Sequence, residues 1–410
     1  MERKLRRNSP ENPKAKRAVA NSELVEIIRA EIGTNGPISF ARFMELALYH
    51  PDRGYYASGR ANIGRRGDFF TNVSVGSVFG KLLAVQFAEI WEKLGRPGDF
   101  KIVEQGAHDG VFAADALSAL RQAAGGCFAA TSYCIVEPFP IWRERQQKNL
   151  REFAEKIAWI ASLDEIAPFV GIHFSNELFD SLPAHLIVSG GVANGATVWN
   201  EKFVGLEHRL SACAPSGVEL RCPDALFIFT TANVSHSGLQ LDHLGFFPAG
   251  FETEVNLAAP KLMSEIAAKL SRGLILAIDY GFPRTEFYSL HRSRGSLQVR
   301  EKQKKLSSPF QQIGRADISG HVEWTSLAEA AQSSGATPIG FTDQHHFLTG
   351  IISKFFPDAD FDASEKRALQ TLLHPEMLGR NFQALALGKD FQETLSGFRF
   401  ARDSAAALGL

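Results

Sequence analysis

The stretch Phe100-Lys101-Ile102-Val103-Glu104-Gln105-Gly106-Ala107-His108-Asp109-Gly110 decides the fold. An apolar run ends in a carboxylate, turns over two glycines and enters a helical pattern beginning near Val111. Strand, glycine turn and helix in this order open many nucleotide-binding α/β folds, because glycine lets the backbone approach a ligand while the helix starts directly behind it. The charge beside the turn then selects the ligand. Glu104 and Asp109 repel an anionic pyrophosphate, whereas S-adenosylmethionine carries a sulfonium and an ammonium that carboxylates attract. Turn geometry alone is weak; turn plus acidic flank favours the methyl donor.

Working outward, short apolar runs at Phe100–Glu104, Ser132–Glu137, Ala158–Ala161 and Gly171–Asn176 alternate with helical patterns at Val111–Gln122 and Ile141–Lys156. Such alternation predicts a parallel sheet covered on both faces. Upstream, helices are expected over Glu23–Ile32, Phe40–Tyr49 and Val78–Leu94, with a glycine-punctuated loop before the third. Downstream, residues 185–256 break the alternation. His185–Ser189, Ala196–Asn200, Val218–Arg221 and Leu226–Thr230 predict antiparallel strands of an inserted β-rich subdomain. A helix over Lys261–Leu270 is expected to close on Gly273 as its C-cap. The most hydrophobic strand, Leu274–Tyr280, should be central. A basic segment His291–Lys305, a strand–helix unit near His321–Ala331 and a last strand Phe382–Leu387 follow. The expected plan is a basic disordered arm (1–20), a helical cap (21–98), a nucleoside-binding α/β core in two parts (99–184 and 261–390) split by the β-rich insertion (185–260), and a tail (391–410).

A chain of 410 residues implies one large domain with insertions, or two domains. Its net charge of −1 gives no reason to expect nucleic acid or a membrane as partner. No run of 18 apolar residues is available for a membrane span. Seven Lys/Arg in the first twenty residues without an apolar core exclude a secretory signal, and Glu2 and Glu11 favour a basic arm over a transit peptide. The four cysteines lack C-x-x-C spacing, so neither a disulfide framework nor a zinc site is expected. His345-His346 has no partner spacing for a metal either, and none is expected. A cytoplasmic protein follows, or one of an organelle matrix if the source is eukaryotic; a homodimer stays open.

Glu137 ends the second strand, where an acid in doubly wound folds reaches ribose hydroxyls; a solvated strand-end acid is the plain competitor. Leu163, after the third strand, is a candidate wall for adenine, with an ordinary turn residue an equal account. Ser175-Asn176-Glu177-Leu178-Phe179-Asp180-Ser181-Leu182-Pro183 sits at the carboxyl end of the fourth strand, where open sheets bind ligands. Asn176, Glu177 and Asp180 there suit an amide, amine or guanidinium. The competing account makes Asp180 a helix cap and leaves Glu177 in solvent. Asp279-Tyr280-Gly281 is similarly placed, with cap chemistry explaining it nearly as well.

With these motifs laid out, the chain resembles the MidA-like methyltransferases, a family that includes the mitochondrial arginine methyltransferase assisting respiratory complex I assembly. The resemblance rests on Pro51-Asp52-Arg53-Gly54-Tyr55-Tyr56, Gly67-Asp68-Phe69-Phe70-Thr71, Phe79-Gly80, the turn after Glu104, Asn176 to Pro183, Asp279-Tyr280-Gly281 and His321-Val322-Glu323-Trp324. It implies a class I methyltransferase fold with an N-terminal helical cap and an insertion, binding S-adenosylmethionine. It further implies that Glu104, Gly106 and Gly110 hold the methionine part, that Glu137 holds the ribose, and that Thr71 closes over the cofactor. Asn176 and Glu177 would then face a protein arginine. Ala107-His108-Asp109 departs from the family turn E-L-G-P-G-R-G, and His108 either donates to the methionine carboxylate or narrows the pocket. Asn72-Val73-Ser74, Glu323 and Trp324 depart as well.

These readings combine into methyl transfer to a side-chain nitrogen of a protein, with arginine favoured. Glu177 would pair with the guanidinium, Asp180 would anchor it, and Asn176 would orient it through its carbonyl oxygen. A catalytically weak assembly factor that binds a partner protein is the alternative from another class, and a nicotinamide-dependent oxidoreductase a third.

Overall fold

The structure, a computed structural model, describes residues 13–61, 71–207, 226–234, 239, 241, 243–302, 304–358 and 361–410, with side chains described from residue 22 onward. Seven strands form the main sheet in the order Thr337–Asp343, Phe382–Lys389, Leu270–Phe282, Phe169–Asn176, Phe100–Gln105, Thr131–Val136, Ile157–Ile160, and Val322–Glu323 adds a short bridge to Leu270–Phe282. The last five strands in that order run parallel; Phe382–Lys389 is antiparallel to both of its neighbours.

Period-two alternation assigns each strand residue to one of two cores. Ile102, Ile172, Phe174, Leu274 and Leu276 pack with the helices Val78–Lys93 and Val111–Ala123. Val103, Cys134, Ile275 and Ala277 face the opposite way, against Met263 and Ile266 of the helix Ala258–Lys269 and Leu327 and Ala328 of the helix Trp324–Ser333. Side chains of this size stabilise the fold by about 1.5–3 kcal/mol each when fully buried. A sheet covered on both faces leaves its carboxyl edge as the place for a ligand.

The inserted strands His185–Ala193, Ala196–Glu207, Leu226–Asn233 and Glu252–Val255 are antiparallel, while Val218–Arg221 lies outside the described residues. Ile38–Ser39, just before the helix Phe40–Tyr49, pairs with Ala196–Glu207. Phe40, Phe43, Val204 and Ile318 then share one core. The N-terminal helices and the inserted strands therefore share one sheet and one core.

Four local expectations are revised. Gly273 is no helix cap: the helix stops at Lys269, and Gly273 lies inside the strand Leu270–Phe282 at φ +139°. A Cβ there would fall 1.9 Å from the Gly171 carbonyl oxygen, and one on Gly171 would fall 1.9 Å from that of Lys101. Three backbones meet too closely for any side chain, beside a bulge between Leu270 and Arg272. The middle strand is Phe169–Asn176, with Leu270–Phe282 beside it. The helix expected over Ile141–Lys156 ends at Asn149, because Leu150 leaves helical geometry to bury itself beneath Gly110. Finally, the first helix spans Pro13–Asn35, taking in part of the stretch expected to be a disordered arm, since Ala15, Lys16, Arg17 and Ala18 are strong helix formers.

Candidate functional site

A cavity of about 550 Å³ opens at the carboxyl ends of the strands Phe100–Gln105, Thr131–Val136 and Phe169–Asn176, roofed by Tyr49, Tyr55, Tyr56 and Thr71. Its size suits a nucleoside-sized ligand. Among the described residues, no Lys or Arg lines it, whereas Glu104, Asp109, Glu137, Glu177, Asp180 and Asp317 all do.

The floor is the Glu104–Gly110 turn. Gly106 (φ +85°) and Gly110 (φ +82°) take the left-handed conformation that glycine adopts without penalty. His108 sits between them at φ +48°, a conformation that needs outside support. Its Nε2 lies 2.9 Å from the Ala61 carbonyl, its ring packs on Trp142 with centroids 4.3 Å apart, and its own carbonyl accepts from Gln146 at 2.7 Å. A carbonyl only accepts, so Nε2 carries the proton and donates to the cap rather than to a ligand. His108 ties the turn to the roof.

Glu104 is buried, and its Oε2 accepts from the Tyr133 hydroxyl at 2.8 Å. Burial pushes it up to about 7, with Tyr133 opposing and Asp109 adding to the rise. Burial also acts on Asp109, but the hydrogen bond and charge of His108 outweigh it and leave this acid below its ordinary value. Asp109 is thus a standing anion, and Glu104 becomes one when a cation arrives. Glu137 accepts from Phe139 N–H at 2.9 Å and from Gln146 Nε2 at 3.0 Å. It is buried at the cavity wall and raised by that burial, so it is no solvated strand-end acid.

Leu163 is not at the cavity. It packs in the sheet core with Val103 and Phe179, because the turn Leu163–Glu165 is held by a Ser162–Glu165 capping box that directs its leucine inward. The apolar wall is made instead by Val136, Phe139, Phe112 and Trp142. Thr71 lines the roof, where Ser74 Oγ donates to its carbonyl at 2.7 Å and accepts from its N–H at 3.0 Å. The preceding Gly67-Asp68-Phe69-Phe70 lies outside the described residues.

At the other end, Asn72 Nδ2 donates to Asn176 Oδ1 at 2.8 Å, and Asn176 Nδ2 donates to Glu177 Oε1 at 2.9 Å. The Asn176 carbonyl oxygen is therefore engaged by Asn72 rather than offered to a substrate; Asn176 acts on Glu177. Glu177 itself stands at φ +56°, its N–H bonded to the Ile278 carbonyl at 2.9 Å. Left-handed geometry at a non-glycine residue costs about 1–3 kcal/mol and persists where surroundings enforce it. Burial, then Asp279, pushes Glu177 up to about 8. Asp180 is raised well above the usual range by burial and by Asp279, Asp317 and Glu177. Neither residue is a solvated or capping acid.

The cap role belongs to Asp279. Its Oδ2 accepts from the N–H groups of Leu178 (3.0 Å), Phe179 (2.9 Å) and Asp180 (3.3 Å), and its Oδ1 from that of Tyr280 (2.8 Å). Burial raises it to about 7 while these donors oppose the rise. Asp279→Asn replaces one acceptor oxygen by a donor facing N–H groups. It should cost about 2–4 kcal/mol in urea unfolding; an unchanged midpoint would show that the loop holds itself.

Sequence reasoning did not find Asp317, Tyr49 or the link through Asn72. Asp317 lies some 140 residues beyond Glu177, with no local signal. Tyr56 was visible only as part of a resembling block.

The polar lining suits a cationic nucleoside. Besides the carboxylates, Gln105 Oε1 is a buried acceptor on this wall with no hydrogen-bond partner among the described residues. Acceptors and acids, with no Lys or Arg lining the cavity among the described residues, fit a cationic nucleoside and oppose a pyrophosphate.

Comparison with known proteins agrees. Residues 82–342 match the family described as "Putative S-adenosyl-L-methionine-dependent methyltransferase". A Burkholderia thailandensis protein of the COG1565 superfamily, solved bound to S-adenosyl-homocysteine, superposes with a TM-score of 0.82 at 28% identity, covering 98% of this chain and 100% of that one. The mitochondrial protein arginine methyltransferase NDUFAF7 of Homo sapiens is 26% identical over 91% of this chain and 85% of its own length. Its Drosophila melanogaster homolog is 26% identical over 92% and 88%. Both animal relatives are named as mitochondrial, so the comparisons lend no support to the cytoplasmic expectation. Among the described residues, no helix is long and apolar enough to cross a membrane.

Proposed function

The chain belongs to this family of S-adenosyl-L-methionine-dependent methyltransferases, and from that membership we propose that it methylates an arginine nitrogen in a protein substrate. The observation that carries the reading is the group of cavity-lining carboxylates Glu177, Asp180 and Asp317, set in the same cavity as the glycine turn. Glu177 and Asp180, both raised by burial and by neighbouring acids, are in a poor resting state. A planar cation with several N–H donors relieves it.

Bound S-adenosylmethionine supplies an electrophilic methyl group. The protein's contribution is to hold the acceptor in line and to make a nitrogen available. Glu104, Gly106, Gly110 and Glu137 hold the nucleoside side, with Asp109 adding charge, Thr71 closing over it from the roof and His108 fixing the roof to the turn. Glu177, oriented by Asn176, accepts from the guanidinium and draws positive charge away from the attacking nitrogen. Asp180 binds a second edge. Guanidinium has no accessible neutral form near neutral pH, so this redistribution replaces outright deprotonation. As transfer completes, Glu177 is placed to take the proton that the methylated nitrogen releases. The compartment is that of the substrate: a bacterial cytoplasm, or an organelle matrix in a eukaryote.

Labelled methyl donor incubated with enzyme and a lysate of the source cells, followed by mass spectrometry of labelled peptides, should place the mark on arginine. Label confined to lysine or carboxyl groups would redirect the reading to another acceptor. Absence of any label would favour a protein that binds its partner without modifying it.

A further inference from the structure

One buried residue of the roof reaches Glu177 twice. Asn72 is 0% exposed and is not among the residues lining the cavity, so it meets a ligand only through its neighbours. The turn Val73–Val75 that follows it makes no use of its side chain; Thr71 and Ser74 close that turn between themselves. The Asn72 amide crosses to the sheet instead. Its Nδ2 donates to Asn176 Oδ1 at 2.8 Å, while its Oδ1 is buried with no hydrogen-bond partner among the described residues. An unpartnered buried acceptor costs about 1–3 kcal/mol, so the fold holds this amide by its nitrogen end.

The far end of the chain sets its direction. An ionised carboxylate only accepts, so Asn176 turns Nδ2 to Glu177 Oε1 at 2.9 Å and Oδ1 to the roof, where only a donor fits. The Asn72 N–H also hydrogen-bonds the Glu177 carboxylate. Side chain and backbone of one residue thus act on the same acid, one through Asn176 and one directly. The titratable groups facing Glu177 are Asp279, Asp180, Asp317 and Tyr280. Burial and then Asp279 push Glu177 up, and the bonds from Asn176 and Asn72 oppose the rise.

We infer that Asn72 is a positioning residue for Glu177: it turns Asn176 so that an N–H rather than a carbonyl oxygen meets the carboxylate, and so favours the ionised form that pairs with a cationic acceptor. The acceptor role given to Glu177 above is the premise. No role is carried over from the resembling family, from which Asn72-Val73-Ser74 departs. Thr71, the next residue, roofs the cavity, so adjacent residues of one turn set the cofactor side and the acceptor side. The opposing account makes the Asn72–Asn176 bond a fastening between roof and sheet. The two accounts differ in sign. A lost fastening admits water and returns Glu177 towards the ordinary carboxylate range, whereas a lost donor moves it further up.

The full chain, labelled with ¹³C at glutamate Cδ, is titrated by NMR, the Glu177 signal being the one missing from Glu177→Gln. Asn72→Leu keeps the volume and removes the donor; it should raise the Glu177 midpoint by about half a pH unit or more, and Asn72→Ala should shift it the same way. Half a unit is about a threefold smaller ionised fraction below the midpoint. Transfer from labelled S-adenosylmethionine to a lysate of the source cells should therefore slow at least about threefold near neutral pH, with affinity for S-adenosyl-homocysteine held within about twofold. In a Glu177→Gln background Asn72→Leu should cost no further transfer, because the two act as one unit. A midpoint unchanged or lowered in both variants would overturn the inference and leave the role of Glu177 standing, as would an additive loss in that background. Affinity for S-adenosyl-homocysteine lost in both variants would show Asn72 to be a fastening only. No label transferred by wild type, with midpoints raised as expected, would overturn methyl transfer itself and leave the Asn72–Glu177 coupling standing.

Discussion

Glu177→Ala lowers methyl transfer by at least about tenfold while affinity for S-adenosylmethionine stays within about twofold of wild type. Three features concentrate the effect on the acceptor. The carboxylate lines the cavity at the far end from Glu137, its Oε1 is fixed by Asn176 at 2.9 Å, and its backbone holds a left-handed conformation at φ +56°. A residue kept in costly geometry at a cavity wall is one whose direction matters. Charge delocalised over a guanidinium must leave the attacking nitrogen as the new bond forms, so the interaction strengthens towards the transition state and its loss falls on turnover. Glu177→Gln keeps the shape and removes the charge; it should lose transfer nearly as fully. Radiolabel transfer beside calorimetric titration checks both, and wild-type turnover in either variant would remove Glu177 from the mechanism.

Glu104→Gln weakens S-adenosylmethionine binding by roughly ten- to a hundredfold, and the effect depends on pH. In the free protein, burial holds this carboxyl up to about 7. A cationic ligand prefers the ionised form. Below pH 7 each binding event must first remove a proton, so affinity should fall about tenfold per pH unit as pH drops. Above pH 7 the group is already ionised and this dependence should flatten. The glutamine variant should lack the Glu104 part of the slope. Titrations from pH 6 to 8.5 separate the cases, since affinity that rises as pH falls would have the opposite sign to a carboxylate binding a cation.

Most of the α/β frame was legible because the hydrophobic period changes visibly between strands and helices. Strand ends at Glu104, Val136 and Asn176 fell within a residue or so of the sequence boundaries. The edge strand Thr337–Asp343 was not read at all: Pro338 and Gly340 interrupt its pattern, and a register shift lies between them. Gly273 shows a different limit. A glycine after a helical run signals a cap, and a glycine where three backbones converge looks identical in sequence. Only the partner strand distinguishes them. At the cavity, Glu104, Glu137, Asn176, Glu177 and Asp180 were legible because they lie at or just beyond the carboxyl ends of sheet strands. Asp317 was not, since it reaches the cavity through cap and insertion packing that no local pattern encodes. Leu163 lies away from the cavity for a related reason, its inward direction being set by a capping box rather than by its distance from the strand.

The acid-lined wall makes its most direct demand in a paired titration of the wild-type protein at pH 7.5, with S-adenosylmethionine in one cell and NADH in the other. Saturable heat with the sulfonium nucleoside and none with the dinucleotide is the predicted result. NADH binding that S-adenosylmethionine fails to displace would contradict the account at its base.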